Sequence, residues 1–179
     1  MGDDLAVIRR ILDGDMDAFR VLVERYQGPL RCFIGNLVAD THEGEDLAQD
    51  VFLAAYRNLA SYDPGRAAFA TWLLTIARNR CLNALAKRRP ILLDELPDRV
   101  EVRPPDAELS AAEWFGLLDR ALDALPFEQK TVFVLAEIQG LSLAEIAAIE
   151  GVKPGTIKSR LSRARDKLRS FFQRTAEHS

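Results

Sequence analysis

Three segments set the reading of the whole chain: Glu45-Asp46-Leu47-Ala48-Gln49-Asp50-Val51-Phe52, then Phe69-Ala70-Thr71-Trp72-Leu73, then Ile76-Ala77-Arg78-Asn79-Arg80 running on to Lys87-Arg88-Arg89. Leu47, Val51, Ala55 and Leu59 recur at helical spacing as one inner stripe, while Asp46, Asp50, Leu53 and Arg57 share another face. The charges are sorted along the chain. Residues 40–50 hold five acids and neither Lys nor Arg, and residues 78–89 hold five bases and no acid. Two surfaces of opposite sign within one short stretch point to two partners, one basic and one a polyanion.

Outward from that stretch the apolar spacing stays helical, and nothing alternates at period two. Leu5, Ile8, Ile11 and Leu12 predict a first helix ended by Gly14. Asp15 or Asp17 can cap a second helix reaching Leu37, with a kink or break expected at Gly28-Pro29. A third helix is predicted over 44–60, a turn at Asp63-Pro64-Gly65, and a fourth helix over 68–88. Pro90 stops it. Residues 90–109 carry four prolines and six acids against Arg99 and Arg103, the composition of an extended acidic linker. Further helices are predicted over 110–125, 126–139, 142–150 and 154–173. The fold is therefore all-α, with two small helical domains (1–89 and 110–179) joined by the linker 90–109.

The second domain carries a sharper signal. In Gly140-Leu141-Ser142-Leu143-Ala144-Glu145-Ile146-Ala147, Ser142 and Glu145 have the spacing of a capping box. Gly151-Val152 supplies a tight turn, and Pro154 suits the first position of the next helix. Two short helices joined in this way read as a helix-turn-helix, whose second helix enters the major groove of DNA. Ile157, Leu161, Ala164 and Leu168 form the inner stripe of that helix. Thr156, Ser159, Ser162 and Arg163 then face outward, with Lys158 on the flank. Residues 153–169 hold seven bases and one acid, a surplus suited to neutralising phosphates. A solvated basic face accounts for the charge alone, but not for the charge together with the capping box and the turn.

Composition narrows the remaining classes. With 48% apolar and 28% charged residues the chain is an ordinary soluble globular protein. No apolar run approaches the ~20 residues of a membrane helix, and Met1-Gly2-Asp3-Asp4 resembles no signal peptide. Cys32 and Cys81 form no C-x-x-C pair and read as two buried, reduced thiols of a cytoplasmic protein. His42 and His178 lie in poor contexts for a metal or for nucleophilic catalysis, so no metal, no cofactor and no enzymatic activity are expected.

Leu125-Pro126, Val132-Phe133, Gly140-Leu141-Ser142, Glu145-Ile146-Ala147, Gly155-Thr156-Ile157-Lys158-Ser159-Arg160-Leu161 and Arg163-Ala164-Arg165 together resemble region 4 of the extracytoplasmic-function (ECF) sigma factors of bacterial RNA polymerase. The segments quoted at the outset resemble region 2 of the same family. The resemblance spans nearly the whole chain, in order, with a linker of fitting length.

The resemblance implies that Asp46, Leu47, Gln49, Asp50 and Leu53 contact core RNA polymerase, the acids docking on a basic coiled coil of its largest subunit. It implies that the loop 61–68 and the following helix recognise and melt the −10 promoter element. Tyr62 and Asn79 are the candidates for a pocket holding a flipped base, and Arg78, Arg80, Lys87 and Arg88 for the backbone, with Asn83 on the same helix. Phe69 reads as core, and Trp72 as either core or stacking platform. Thr156, Lys158, Ser159, Arg160, Ser162 and Arg163 are implied readers of duplex DNA at −35. The acidic linker is either a mimic of nucleic acid in the polymerase cleft or a plain soluble tether. The implied partners are core polymerase, promoter DNA (duplex at −35, single-stranded at −10) and an anti-sigma factor blocking both surfaces.

Three positions depart from the family pattern: Asn83 stands where Asp is usual, Ala70 where a base is common, and Lys153 where Ser would cap the recognition helix. The first two leave the −10 sequence open; the third weakens the helix start by about 1 kcal/mol. A stand-alone helix-turn-helix regulator is the alternative. It explains residues 125–173 but leaves the acidic and basic helices of the first domain without a purpose.

Overall fold

Asp40 begins the helix that carries the acidic face: its Oδ1 accepts from the Glu43 amide at 3.1 Å, so α3 runs Thr41–Arg57. The computed structural model describes residues 4–88 and 111–177, and the linker expected at 90–109 lies outside them. The first domain comprises α1 (Asp4–Leu12), α2 (Phe19–Leu37), α3 and α4 (Phe69–Arg88), with single 3₁₀ turns at Met16–Ala18 and Leu59–Ser61. The second comprises α5 (Ala111–Asp123), α6 (Phe127–Phe133), α7 (Leu143–Glu150) and α8 (Pro154–Glu177). Among the described residues there is no strand, and no helix is long and apolar enough to cross a membrane.

Three local features refine the sequence reading. α3 starts earlier than position 44 because the Asp40 cap outweighs the poor helix propensity of Gly44. α2 runs unbroken through Pro29, which excludes a break, one of the two outcomes expected there. Pro29 lies on the exposed side, while Leu30, Phe33, Ile34 and Leu37 are buried. Burial of about 1.5–3 kcal/mol per large side chain offsets the ~3 kcal/mol cost of an interior proline. The predicted helix over 126–139 ends as α6 and continues as one π turn, Val134–Ile138, in which the Gln139 amide reaches Val134 O at 3.0 Å. The π turn follows on a buried stretch formed by Thr131, Val132, Val134 and Leu135.

The core of the first domain is built by Leu22, Leu30, Phe33 and Ile34 of α2, Val51 and Ala55 of α3, and Phe69, Leu73, Ala77 and Cys81 of α4. Val132, Leu135, Ile146 and Ile157 join the same apolar cluster from the second domain. A smaller cluster of Ala121, Leu122, Leu125, Ala164 and Leu168 fastens α5 to α8. α4 packs directly on α7, and α2 touches α6, so the two domains meet face to face. Cys32, expected inside, lies on the outer face of α2 because Phe33 and Ile34 take the inward positions.

Candidate protein and nucleic-acid interfaces

The acidic face of α3 is open to solvent. Asp46, Gln49 and Asp50 are exposed, and Leu53 stands out among them at 45% exposure. Leu47, read with them as a contact residue, points inward and is buried, so it supports the face from below. An open groove of about 720 Å³ runs beside Leu53 between α2 and α3, walled by Met16, Phe19, Val23, Phe52 and Tyr56. The face is thus acidic with an apolar margin.

The loop before α4 is shaped by its own hydrogen bonds. Asp63 Oδ1 accepts from the Gly65 amide at 2.8 Å, making the expected turn. Tyr62 donates its hydroxyl to Ala67 O at 3.0 Å and packs its ring on Phe69 and Trp72, with centroids 5.7 and 5.4 Å away. That burial also raises its hydroxyl pKa. Tyr62 therefore braces the loop from within and does not line the cavity beside it. A cavity of about 320 Å³ opens between the end of α3 and the outer side of α4, walled by Asn58, Ser61, Trp72, Asn79, Arg80 and Asn83, with Ala54 and Ile76 beneath. Trp72 packs on Phe69 and is also among the residues that line this cavity.

Asn58 and Ser61 were missed in the sequence. Asn58 donates Nδ2 to Ala54 O at 2.8 Å, closing α3, and Ser61 donates Oγ to Asn58 O at 2.7 Å. An Asn between the stripe residues Ala55 and Leu59 is the helix-end signal that marks this position. The remaining residues of the basic helix diverge. Asn79, Arg80, Asn83 and Lys87 are exposed along one side of α4, whereas Arg78 turns to the second domain; the Arg88 side chain lies outside the described residues.

In the second domain both halves of the capping box form. The Glu145 amide donates to Ser142 Oγ at 3.3 Å, and Glu145 Oε2 accepts from the Ser142 amide at 2.9 Å. Ser142 Oγ also donates to Glu145 Oε2 at 2.7 Å, and this bond, with the one from the Ser142 amide, holds the Glu145 carboxyl below its ordinary pKa. Gly151 closes α7 with φ of +66°, a conformation that L side chains rarely adopt, and so sets the turn into α8. Ile157, Leu161, Ala164 and Leu168 are buried as their spacing requires. Thr156, Lys158, Ser159, Ser162 and Arg163 stand exposed on the outer face of α8. Arg160 does not: it donates Nη1 to Glu150 Oε2 at 2.8 Å. Two basic surfaces result, one on α4 and one on α8, and each has one arginine turned into the domain junction.

Among the described residues no group of His, Cys, Asp and Glu could hold a metal ion. Cys81 is sealed in the core, and desolvation pushes its thiol up to about 12, which leaves it chemically inert.

Comparison with known proteins agrees with this geometry. Residues 22–91 match the Sigma-70 region 2 family and residues 115–168 the Sigma-70, region 4 family. The chain is 34% identical over 175 residues to the ECF RNA polymerase sigma factor SigW of Bacillus subtilis, covering 90% of this chain and 92% of that one. It is also 34% identical, over 182 residues and 95% of both chains, to the ECF RNA polymerase sigma-E factor of Haemophilus influenzae. Its fold is similar to that of the sigma factor RpoE crystallised with the anti-sigma factor NepR from Bartonella quintana, with TM-score 0.70, 30% identity, and coverage of 87% of this chain and 96% of that chain. Two domain families in order, on a scaffold whose helix-turn-helix and opposed charged faces are in place, identify the protein: the chain belongs to the ECF sigma factors, the alternative sigma subunits that direct RNA polymerase to promoters.

Proposed function

We propose that the two surfaces divide the work of promoter recognition. The exposed side of α3, through Asp46, Gln49, Asp50 and Leu53 with Leu47 beneath, binds core RNA polymerase. α8 reads the −35 duplex with Thr156, Lys158, Ser159, Arg160, Ser162 and Arg163. The cavity flanked by Trp72, Asn79, Arg80 and Asn83 receives an unpaired −10 base, and Arg78, Lys87 and Arg88 hold the backbone. Tyr62 shapes the loop that borders the site. Domain bounds of 1–89 and 110–179 with the acidic segment between them fit this division.

The observation that carries the reading is the cavity of about 320 Å³ at the boundary between the acidic and basic helices. Side-chain amides present donors and acceptors to a base edge, the Trp72 ring offers an aromatic contact, and Arg80 supplies charge for the adjoining phosphate. Catalysis would belong to the polymerase and not to this chain, and the work would be done in the cytoplasm where polymerase acts. An anti-sigma factor is a fitting further partner, as in the RpoE complex. Transcription in vitro with bacterial core polymerase and an ECF-type promoter tests the assignment. Promoter-specific transcripts that depend on this chain and are lost on Asp50→Lys or Asn79→Ala support it. A chain that shifts duplex DNA but yields no transcript would return the helix-turn-helix to a stand-alone regulator.

A further inference from the structure

Three polar side chains that line the cavity beside α4 are oriented by bonds to their own neighbours. Ser61 spends its hydroxyl hydrogen on Asn58 O at 2.7 Å, so its Oγ offers only lone pairs. Asn58 donates Nδ2 to Ala54 O at 2.8 Å. Only the NH2 end of an amide can serve a carbonyl, so Oδ1 is the end left to accept. Across the cavity, Asn79 Oδ1 accepts from Arg78 Nη1 at 3.3 Å. A guanidinium has donors and no acceptor, which fixes this amide too and leaves Nδ2 to donate. Arg80, exposed next to it, adds further donors. The cavity thus has an acceptor wall at the end of α3 and a donor wall on α4. Asn83, whose amide carries both kinds of group, suits either.

The four bases differ in how donors and acceptors divide along their edges. Thymine sets a single N–H between two carbonyl oxygens. Adenine carries one amine with a ring acceptor on either side of it. Cytosine does divide into halves, but its donor half is one nitrogen against two acceptors on the α3 wall. Guanine divides evenly: N1–H and the N2 amine donate side by side, while O6 and N7 accept side by side. The commonest base-specific contact of proteins, arginine on guanine O6 and N7, is of the kind that Arg80 can make. At about 320 Å³ the cavity admits the larger, two-ring base.

We propose that this cavity selects guanine in the non-template strand, with Ser61 and Asn58 as the residues that determine the choice. Ser61 Oγ and Asn58 Oδ1 accept from N1–H and the N2 amine, and Asn79 and Arg80 donate to O6 and N7. The inference rests on the reading of the cavity as the site of an unpaired −10 base. Closing α3 uses the Ser61 hydrogen and Asn58 Nδ2, so the lone pairs that face the base are spare to that structural task.

Single-stranded oligonucleotides of an ECF-type non-template −10 sequence, with each of the four bases in turn at each position, test this by anisotropy. They are titrated against the full chain bound to core polymerase. The position that faces the cavity is the one whose base preference disappears on Asn79→Ala. There guanine should bind about tenfold more tightly than any other base. Inosine, which is guanine without the N2 amine, should lose about the same factor at that position. Ser61→Ala combined with Asn58→Ala should make guanine and inosine equivalent while leaving binding to a −35 duplex unchanged. A preference for another base at that position overturns the proposal, and so does a guanine–inosine gap that survives the double variant. The oligonucleotide series with unaltered Ser61 and Asn58 decides the choice of base even if the double variant fails to fold. Indifference to the base at every position has a different consequence: it removes the cavity as the −10 site, and the proposal falls with it.

Discussion

Arg80 of α4 reaches to 3.9 Å from Asp50 of α3, so the acidic and basic surfaces touch at this pair while both side chains remain about half exposed. An exposed pair of this kind contributes at most about 1 kcal/mol, so its function can be changed without unfolding the domain. Asp50→Lys should abolish transcription with core polymerase and leave the thermal midpoint nearly unchanged. Pull-down of core polymerase, run beside a melting curve, checks both halves; wild-type retention of polymerase would remove α3 from the interface.

Asn79→Ala should slow promoter opening by about tenfold, the loss of roughly 1.4 kcal/mol expected for one base-edge contact. A template already mismatched across −10 should recover most of the rate, and binding to an isolated −35 duplex should not change. Tyr62→Phe is the contrasting variant. It deletes the bond to Ala67 O, at a cost of about 1 kcal/mol in stability, without altering which base is preferred at −10. Fluorescence of 2-aminopurine placed in the non-template strand follows both.

Removal of the Ser142 cap by Ser142→Ala should destabilise the second domain by about 1 kcal/mol. Glu145 adds a dependence on pH. Its folded pKa lies below the ordinary 4.5, so its contribution is present in full above that value and is lost as pH falls through the lower, folded value. Glu145→Gln keeps a capping side chain but no charge. The stability difference between wild type and Glu145→Gln should therefore be visible at pH 7 and vanish under acid conditions, as read by urea titration at each pH.

How far these features could be read in advance depended on whether their causes were local. Ser142 with Glu145, Gly151, and the stripe Ile157, Leu161, Ala164 and Leu168 lie within a few residues of one another, and helix geometry turns such spacing directly into contacts. Pro29 and the π turn after Phe133 depend on what lies across the core, which no short window contains. The same holds for Tyr62: its place in the loop suggested a base pocket, but the ring is claimed by Phe69 and Trp72. Arg78 is the extreme case. Its position among other bases marked it for DNA, while its partner in the free chain, Glu150, stands 72 residues away.

The two thiols should behave as opposites. Cys32 is exposed and should react with a thiol reagent in the native state, whereas Cys81 should stay silent until the first domain unfolds. Pulse labelling followed by mass analysis across a denaturant series should give two steps, with the second coincident with loss of helical circular dichroism. Reaction of Cys81 under native conditions would indicate local opening of α4.

The segregation of acids onto α3 and bases onto α4 and α8 makes the net charge of −3 a poor guide to how this protein behaves at a charged matrix. At physiological salt the screening length is only ~8 Å, so a bead or polymer senses the patch it touches and not the molecular sum. The protein should be retained both by an anion exchanger, through α3, and by heparin, through α8. A formally acidic protein would thus purify on a resin chosen for basic ones.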